Sequence, residues 1–201
     1  LAARQDRKFI TMADLQAAEI KVIAGPEKKS RIVPEHERKL TAWHEAGHAV
    51  VTYFCETQDP VHEISIVPRG YAGGYTMSLP VEDRNYVTKR YMEEELCTLL
   101  GGRVAEAIVL GDISTGASND IEKATNIARA MVTQYGMSKK FGLIGLATVE
   151  SKYLSGQASL NCADDTAAAI DEEVMKMLAE SYEAAKALLA ENRDVMDKIA
   201  E

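Results

Sequence analysis

Trp43-His44-Glu45-Ala46-Gly47-His48-Ala49-Val50-Val51 reads H-E-x-x-H inside a run of helical periodicity. On a helix, positions i and i+4 share a face, so His44 and His48 can offer two imidazoles to one cation. Glu45 follows His44 directly, where its carboxylate can reach a metal-activated water without ligating the metal. Two neutral imidazoles suit zinc, which lowers the pKa of water to about 7. A carboxylate beside that water can take its proton and pass it to a leaving amine. The competing reading is a helix with two surface histidines and a chance glutamate. Two of only four histidines fall at this spacing, in an apolar helix where idle imidazoles are poorly placed, so the metal reading leads.

Outward from this stretch, Pro34 stands where a first-turn proline belongs, and the spacing predicts a helix from there to about residue 56. Its apolar positions Leu40, Trp43, Gly47, Val50, Val51 and Phe54 recur at three and four. Upstream, Thr11 caps a helix over 12–24 that stops at Gly25, and residues 26–33 read as a charged linker. Downstream the period changes to two over 61–67 and again over 75–79, with turn chemistry at Pro68-Arg69-Gly70 and Gly73-Gly74 between them. A long helix over 88–110 contains Gly101-Gly102, which costs about 1 kcal/mol per glycine relative to alanine and predicts close packing of another backbone, the metal helix being the candidate. Ser114-Thr115-Gly116-Ala117-Ser118 supplies cap residues for a helix over 118–135 ending at Gly136. Residues 137–163 read as irregular with one short strand at 143–149. A last long helix starts at Asp164 or Asp165, with a packing stripe from Ile170 to Leu189. The fold class expected is mainly α (α+β): helices with a small β-hairpin near the site.

The chain has 201 residues, 46% hydrophobic and 27% charged, which is ordinary globular composition. A net charge of −8 and a pI near 5.1 argue against nucleic acid as a partner. Cys55, Cys97 and Cys162 are odd in number and scattered, which argues against a disulfide framework and fits a reducing compartment. No apolar run approaches the roughly 20 residues of a membrane helix. Both ends read as cut from a longer chain.

A catalytic zinc takes three protein ligands and an open position. Val51 and Phe54 exclude the H-E-x-x-H-x-x-G-x-x-H continuation, leaving His62, Glu106, Asp112 and Asp120 as third-ligand candidates. Asp120 is favoured because capping fixes the geometry of a first helical turn, although an acid there is also explained by the helix dipole alone.

The motifs His44-Glu45-Ala46-Gly47-His48, Ile66-Val67-Pro68-Arg69-Gly70, Gly101-Gly102-Arg103-Val104-Ala105-Glu106, Ser114 to Asp120, and Met131-Val132-Thr133-Gln134-Tyr135-Gly136-Met137-Ser138 occur in that order. Together they resemble the peptidase domain of the FtsH family, membrane-anchored ATP-dependent AAA+ zinc proteases. The resemblance implies Zn2+ held by His44, His48 and Asp120, with Glu45 as general base. Glu106 has two readings, a carboxylate that accepts the other N–H of a ligand histidine and a solvent-facing helix carboxylate. It implies residues 1–25 as the end of an ATPase lid, 26–33 as a linker and 34–201 as a zinc peptidase domain. Polypeptide substrates, a homohexameric parent, and a bacterial inner-membrane anchor with this domain on the cytoplasmic side follow from the same resemblance. The chain has no G-x-x-x-x-G-K-[ST] loop, so ATP/Mg2+ and the membrane segments belong to parts of the parent before Leu1. Ala72-Gly73-Gly74 departs from the family's usual Ala-Leu-Gly. The stretch Gly73, Gly74, Tyr75 and Thr76 is read as binding substrate at an open sheet edge, the alternative being an ordinary hairpin strand paired on both sides. A protease-like module without turnover, or a non-proteolytic zinc hydrolase, are the alternative readings. The first predicts a missing base or ligand, and none is missing.

Overall fold

A computed structural model describes residues 3, 6–23, 25, 33–69, 73–149 and 158–201. Most of the expected linker, the turn residues 70–72 with Ala72, and the middle of the irregular stretch (150–157) lie outside the described residues. In chain order the elements are α1 (Met12–Ile23), α2 (Glu35–Phe54), β1 (Val61–Ser65), β2 (Tyr75–Ser78), α3 (Lys89–Leu110), α4 (Ser118–Thr133), β3 (Ala147–Val149), β4 (Ala158–Leu160), α5 (Asp164–Glu191) and α6 (Arg193–Ala200). This is the mainly helical α+β architecture expected, with small antiparallel hairpins.

Helix ends follow local chemistry. Thr11 Oγ1 accepts from Asp14 N at 3.3 Å while Thr11 N donates to Asp14 Oδ2 at 2.9 Å, a reciprocal cap. Thr88 Oγ1 accepts from Tyr91 N at the start of α3, and Gly111 ends that helix with φ +65°, a left-handed position that glycine adopts without steric cost. The expected last helix is two. Asn192 (φ −114°, ψ 30°) interrupts it and α6 begins at Arg193.

α2 packs against α3 and α6, while α3 also lies on α4 and α5. One apolar cluster joins Met92, Leu96 and Leu100 of α3 to Ala124, Ala128 and Met131 of α4 and Ile170 and Val174 of α5. A second joins Ala46, Val50 and Val51 of α2 to Val104, Ala105, Leu189 and Met196. Burying one such Leu, Ile or Met stabilises by roughly 1.5–3 kcal/mol. α2 is buried on every side from His44 to Thr52, so its middle is the centre of the molecule rather than an amphipathic surface.

The two glycines of α3 have separate neighbours. A Cβ on Gly101 would lie 2.9 Å from the Gly47 carbonyl oxygen, and one on Gly47 would lie 2.5 Å from the Gly101 oxygen. The helices therefore touch backbone to backbone at this crossing. A Cβ on Gly102 would instead meet the rings of His44 and His48, each at 2.6 Å. Close packing against the metal helix is what Gly101-Gly102 led one to expect.

β1 and β2 pair antiparallel, Ser65 opposite Tyr75 and Ile64 opposite Thr76, with a register shift between Val61 and Glu63. β3 pairs with β4, Thr148 opposite Ser159. β3 is shorter than the expected strand because Leu143 and Ile144 turn out to solvent. The partner β4 has no counterpart in the sequence reading.

Candidate metal centre

Helical spacing sets His44 and His48 side by side on α2, with Nε2 atoms 3.0 Å apart. Asp120, in the first turn of α4, brings Oδ2 to 3.4 Å from His44 Nε2 and 3.5 Å from His48 Nε2. Ser114 stops the preceding chain by accepting from Gly116 N at 3.0 Å, and the single turn Thr115–Ala117 leads directly into α4. Of the four candidates for a third ligand, Asp120 is the one that joins the histidines in a metal-capable group among the described residues. His62 lies exposed on β1, and Asp112 is exposed beyond α3.

The opposite edge of each imidazole is also held. His44 Nδ1 is 2.8 Å from Glu106 Oε1, and His48 Nδ1 is 2.7 Å from the Thr98 carbonyl oxygen. A carbonyl only accepts, so the His48 proton sits on Nδ1. Glu106 as carboxylate imposes the same on His44. Both Nε2 atoms then carry lone pairs pointing into one space, an arrangement without merit unless a cation lies between them. Tetrahedral zinc with Zn–N bonds of about 2.0–2.1 Å separates two ligand nitrogens by about 3.3 Å, close to the spacing found. Two imidazoles and one carboxylate, with both N–H groups tied to acceptors, fit a zinc ion.

Electrostatics agree with that fit. Burial would push the His44 pKa down, but Asp120, Glu45 and Glu106 around it outweigh burial and raise it. Burial would raise Asp120, and the two imidazoles instead hold it well below the usual carboxylate range. The centre thus favours positive charge. Glu106, fully buried, is stabilised by three donors: His44, Ser114 N at 2.7 Å and Ser114 Oγ at 3.0 Å. One carboxylate ties His44 to the loop that delivers Asp120.

Glu45 is only 6% exposed, and burial raises its pKa. Its Oε2 accepts from Thr76 Oγ1 of β2 at 2.8 Å. The cleft of about 1120 Å³ that opens over these groups is lined by both histidines, Glu45, Asp120, Gly73, Gly74 and the whole of β2. Gly73 is exposed, whereas Gly74 is buried: a Cβ there would stand 2.6 Å from both the Ser65 oxygen and Thr41 Cγ2. Gly74 lets β2 lie on α2. Tyr75 reaches back to Glu63, its hydroxyl donating to Oε1 at 2.5 Å. The Thr98 carbonyl and the Thr76 hydroxyl are the contacts the sequence reading missed. A backbone oxygen has no residue signature, and Thr76 was read only as part of a substrate edge.

Paired imidazoles, a converging carboxylate and a buried glutamate beside them, set on a helix that crosses the core, define a metallopeptidase of the H-E-x-x-H class. The chain belongs to peptidase family M41, whose model matches residues 31–201. It is 52% identical over 203 residues to "ATP-dependent zinc metalloprotease FtsH 1" of Thermoanaerobacter sp. (strain X514), covering 100% of this chain and 33% of that protein. With FtsH 2 of Alkaliphilus metalliredigens it shares 52% identity over 204 residues, 100% of this chain and 30% of the relative. With FtsH of Bacillus subtilis (strain 168) it shares 46% over 209 residues, 100% and 32%. The chain thus spans about a third of the length of these curated relatives.

Proposed function

We propose that this chain hydrolyses peptide bonds of unfolded or membrane-extracted polypeptides, as the zinc-dependent endopeptidase part of an ATP-driven protease. One observation carries the reading: His44 Nε2, His48 Nε2 and Asp120 Oδ2 converge, with the Glu45 carboxylate buried beside them in the same cleft. A zinc ion held by these three residues supplies Lewis acidity to water and to the scissile carbonyl. Glu45 is the base. Its raised pKa suits a group that must take a proton from water and then give it to the leaving amine nitrogen. Glu106 and the Thr98 carbonyl keep both ligand imidazoles in the tautomer that points Nε2 inward. Substrate lies extended along β2, with Gly73, Gly74, Tyr75 and Thr76 as the binding stretch. Among the described residues β2 pairs only with β1, so its other edge can take a peptide's backbone groups without regard to side chains.

In the whole protein, residues 1–25 end an ATPase lid, 26–33 link, and 34–201 form the peptidase. ATP and Mg2+ act in the ATPase portion, and the parent assembles as a homohexamer anchored in the bacterial inner membrane with this domain on the cytoplasmic side. The words "ATP-dependent zinc metalloprotease" in the relatives' names support the ATP and zinc parts of this reading. Among the described residues no helix is long and apolar enough to cross a membrane. Metal analysis with casein cleavage, before and after chelation, tests the reading. About one zinc per chain and cleavage that chelation abolishes and zinc restores is expected; chelator-resistant cleavage overturns it.

A further inference from the structure

We propose that Thr76 is a positioning residue for Glu45, its hydroxyl holding one oxygen of the base so that the other faces the cleft. The inference deepens the peptidase reading and rests on it. The terminal torsion of a glutamate is broad and weakly quantised, so packing alone leaves a carboxylate free to turn. A general base needs one oxygen aimed within hydrogen-bond reach of the proton it removes. Something must therefore fix the torsion of Glu45.

Thr76 is the side chain placed to do so. Its Oγ1 donates to Glu45 Oε2 at 2.8 Å, and the Glu45 carbonyl oxygen lies 3.0 Å from the same hydroxyl. The hydroxyl is thereby referenced to both ends of one residue, and a hydrogen bond to a charged oxygen is the stronger kind. Oε1 has no hydrogen bond among the described residues. The carbon stem of Glu45 is confined from the same strand, since a Cβ on Gly74 would lie 3.1 Å from Glu45 Cγ.

Thr76 is itself fixed. It sits opposite Ile64 in the β1–β2 ladder, and its neighbour Tyr75 is bonded to Glu63 across the pair. A peptide laid along β2 would therefore be placed by the strand that also orients the base. Register of the scissile bond and aim of the carboxylate share one reference, and misplacement by about 1 Å can cost about 100-fold in rate.

Thr76→Val keeps the shape and removes the hydroxyl; Thr76→Ser keeps the hydroxyl. The zinc-loaded chain is assayed with a fluorogenic peptide, alongside zinc content and melting temperature. Thr76→Val is expected to hold wild-type zinc and to lose kcat by about 10–100-fold, the range typical of a lost orienting partner, with KM within about threefold. Thr76→Ser is expected to restore kcat to within about threefold. A raised KM with unchanged kcat would make the Thr76 hydroxyl itself a substrate contact rather than a hold on Glu45 and overturn the proposal, as would failure of Thr76→Ser to rescue. Failure of the peptidase reading is separate: Glu45→Gln would then cleave as well as wild type. If Thr76→Val does not fold, Thr76→Ser decides alone, since a kcat loss above about tenfold in that variant overturns the proposal.

Discussion

Gly102→Ala tests whether the α2–α3 crossing was shaped around the imidazoles. The added Cβ would stand 2.6 Å from His44 Cε1, His44 Nε2 and His48 Nε2, about 0.8 Å short of the 3.4 Å where ordinary contact begins. The rings cannot both retreat, because Glu106 and the Thr98 carbonyl hold their far edges at 2.8 and 2.7 Å. Metal–ligand distances tolerate only about 0.2 Å, so the displacement exceeds the tolerance roughly fourfold. Stability responds less: alanine gains about 1 kcal/mol in helix propensity, against an overpacking cost of about 1–3 kcal/mol. The net is a loss of about 0–2 kcal/mol, with zinc affinity falling by about 100-fold or more, the upper end of what disturbing ligand support costs. Chelator competition reads the affinity, and thermal unfolding of the metal-free protein reads the stability. Gly47→Ala is the contrast, since its Cβ would meet the Gly101 oxygen at 2.5 Å and Ala105 Cβ at 2.6 Å; it should unfold early with or without metal. Wild-type zinc affinity in Gly102→Ala would refute the reasoning.

Asp120→Ala should lower zinc affinity more than Glu106→Gln, which keeps the size of the Glu106 side chain but weakens its hold on His44 and the Ser114 loop; chelator competition on both variants ranks them. The metal-free protein should lose stability as pH rises above about 6.5. His44 has its pKa raised in the fold by Asp120, Glu45 and Glu106 against burial, so the contribution is full below the ordinary value of 6.5 and is lost as pH passes the raised one. Urea unfolding at a series of pH values checks this, and zinc should remove the decline. The chain alone should cleave loosely structured casein without ATP yet leave a stably folded reporter intact, and ATP-stimulated degradation of that reporter would contradict the assignment of ATP to the rest of the protein.

The histidine pair was legible because both residues lie on one helix, where i, i+4 spacing alone sets their separation. Asp120 was one of four candidates on spacing, for its place beside α2 depends on how α3 and α4 pack. Gly101-Gly102 announced a close approach, but not that one glycine faces a backbone and its neighbour a pair of rings, since adjacent helical positions point about 100° apart. β4 escaped because a three-residue strand has no period to read. The break at Asn192 escaped because helix-favouring residues flank it on both sides. Contacts between distant elements, Thr76 with Glu45 and Thr98 with His48, leave no local pattern at all.

The central claim is that His44, His48 and Asp120 hold a zinc ion while Glu45, beside them, moves the proton. Glu45→Gln with metal analysis and fluorogenic casein turnover on the same preparation tests it most directly. About one zinc per chain with cleavage abolished is the predicted result; substantial residual cleavage, with contaminating protease excluded, or loss of the zinc itself, would contradict it.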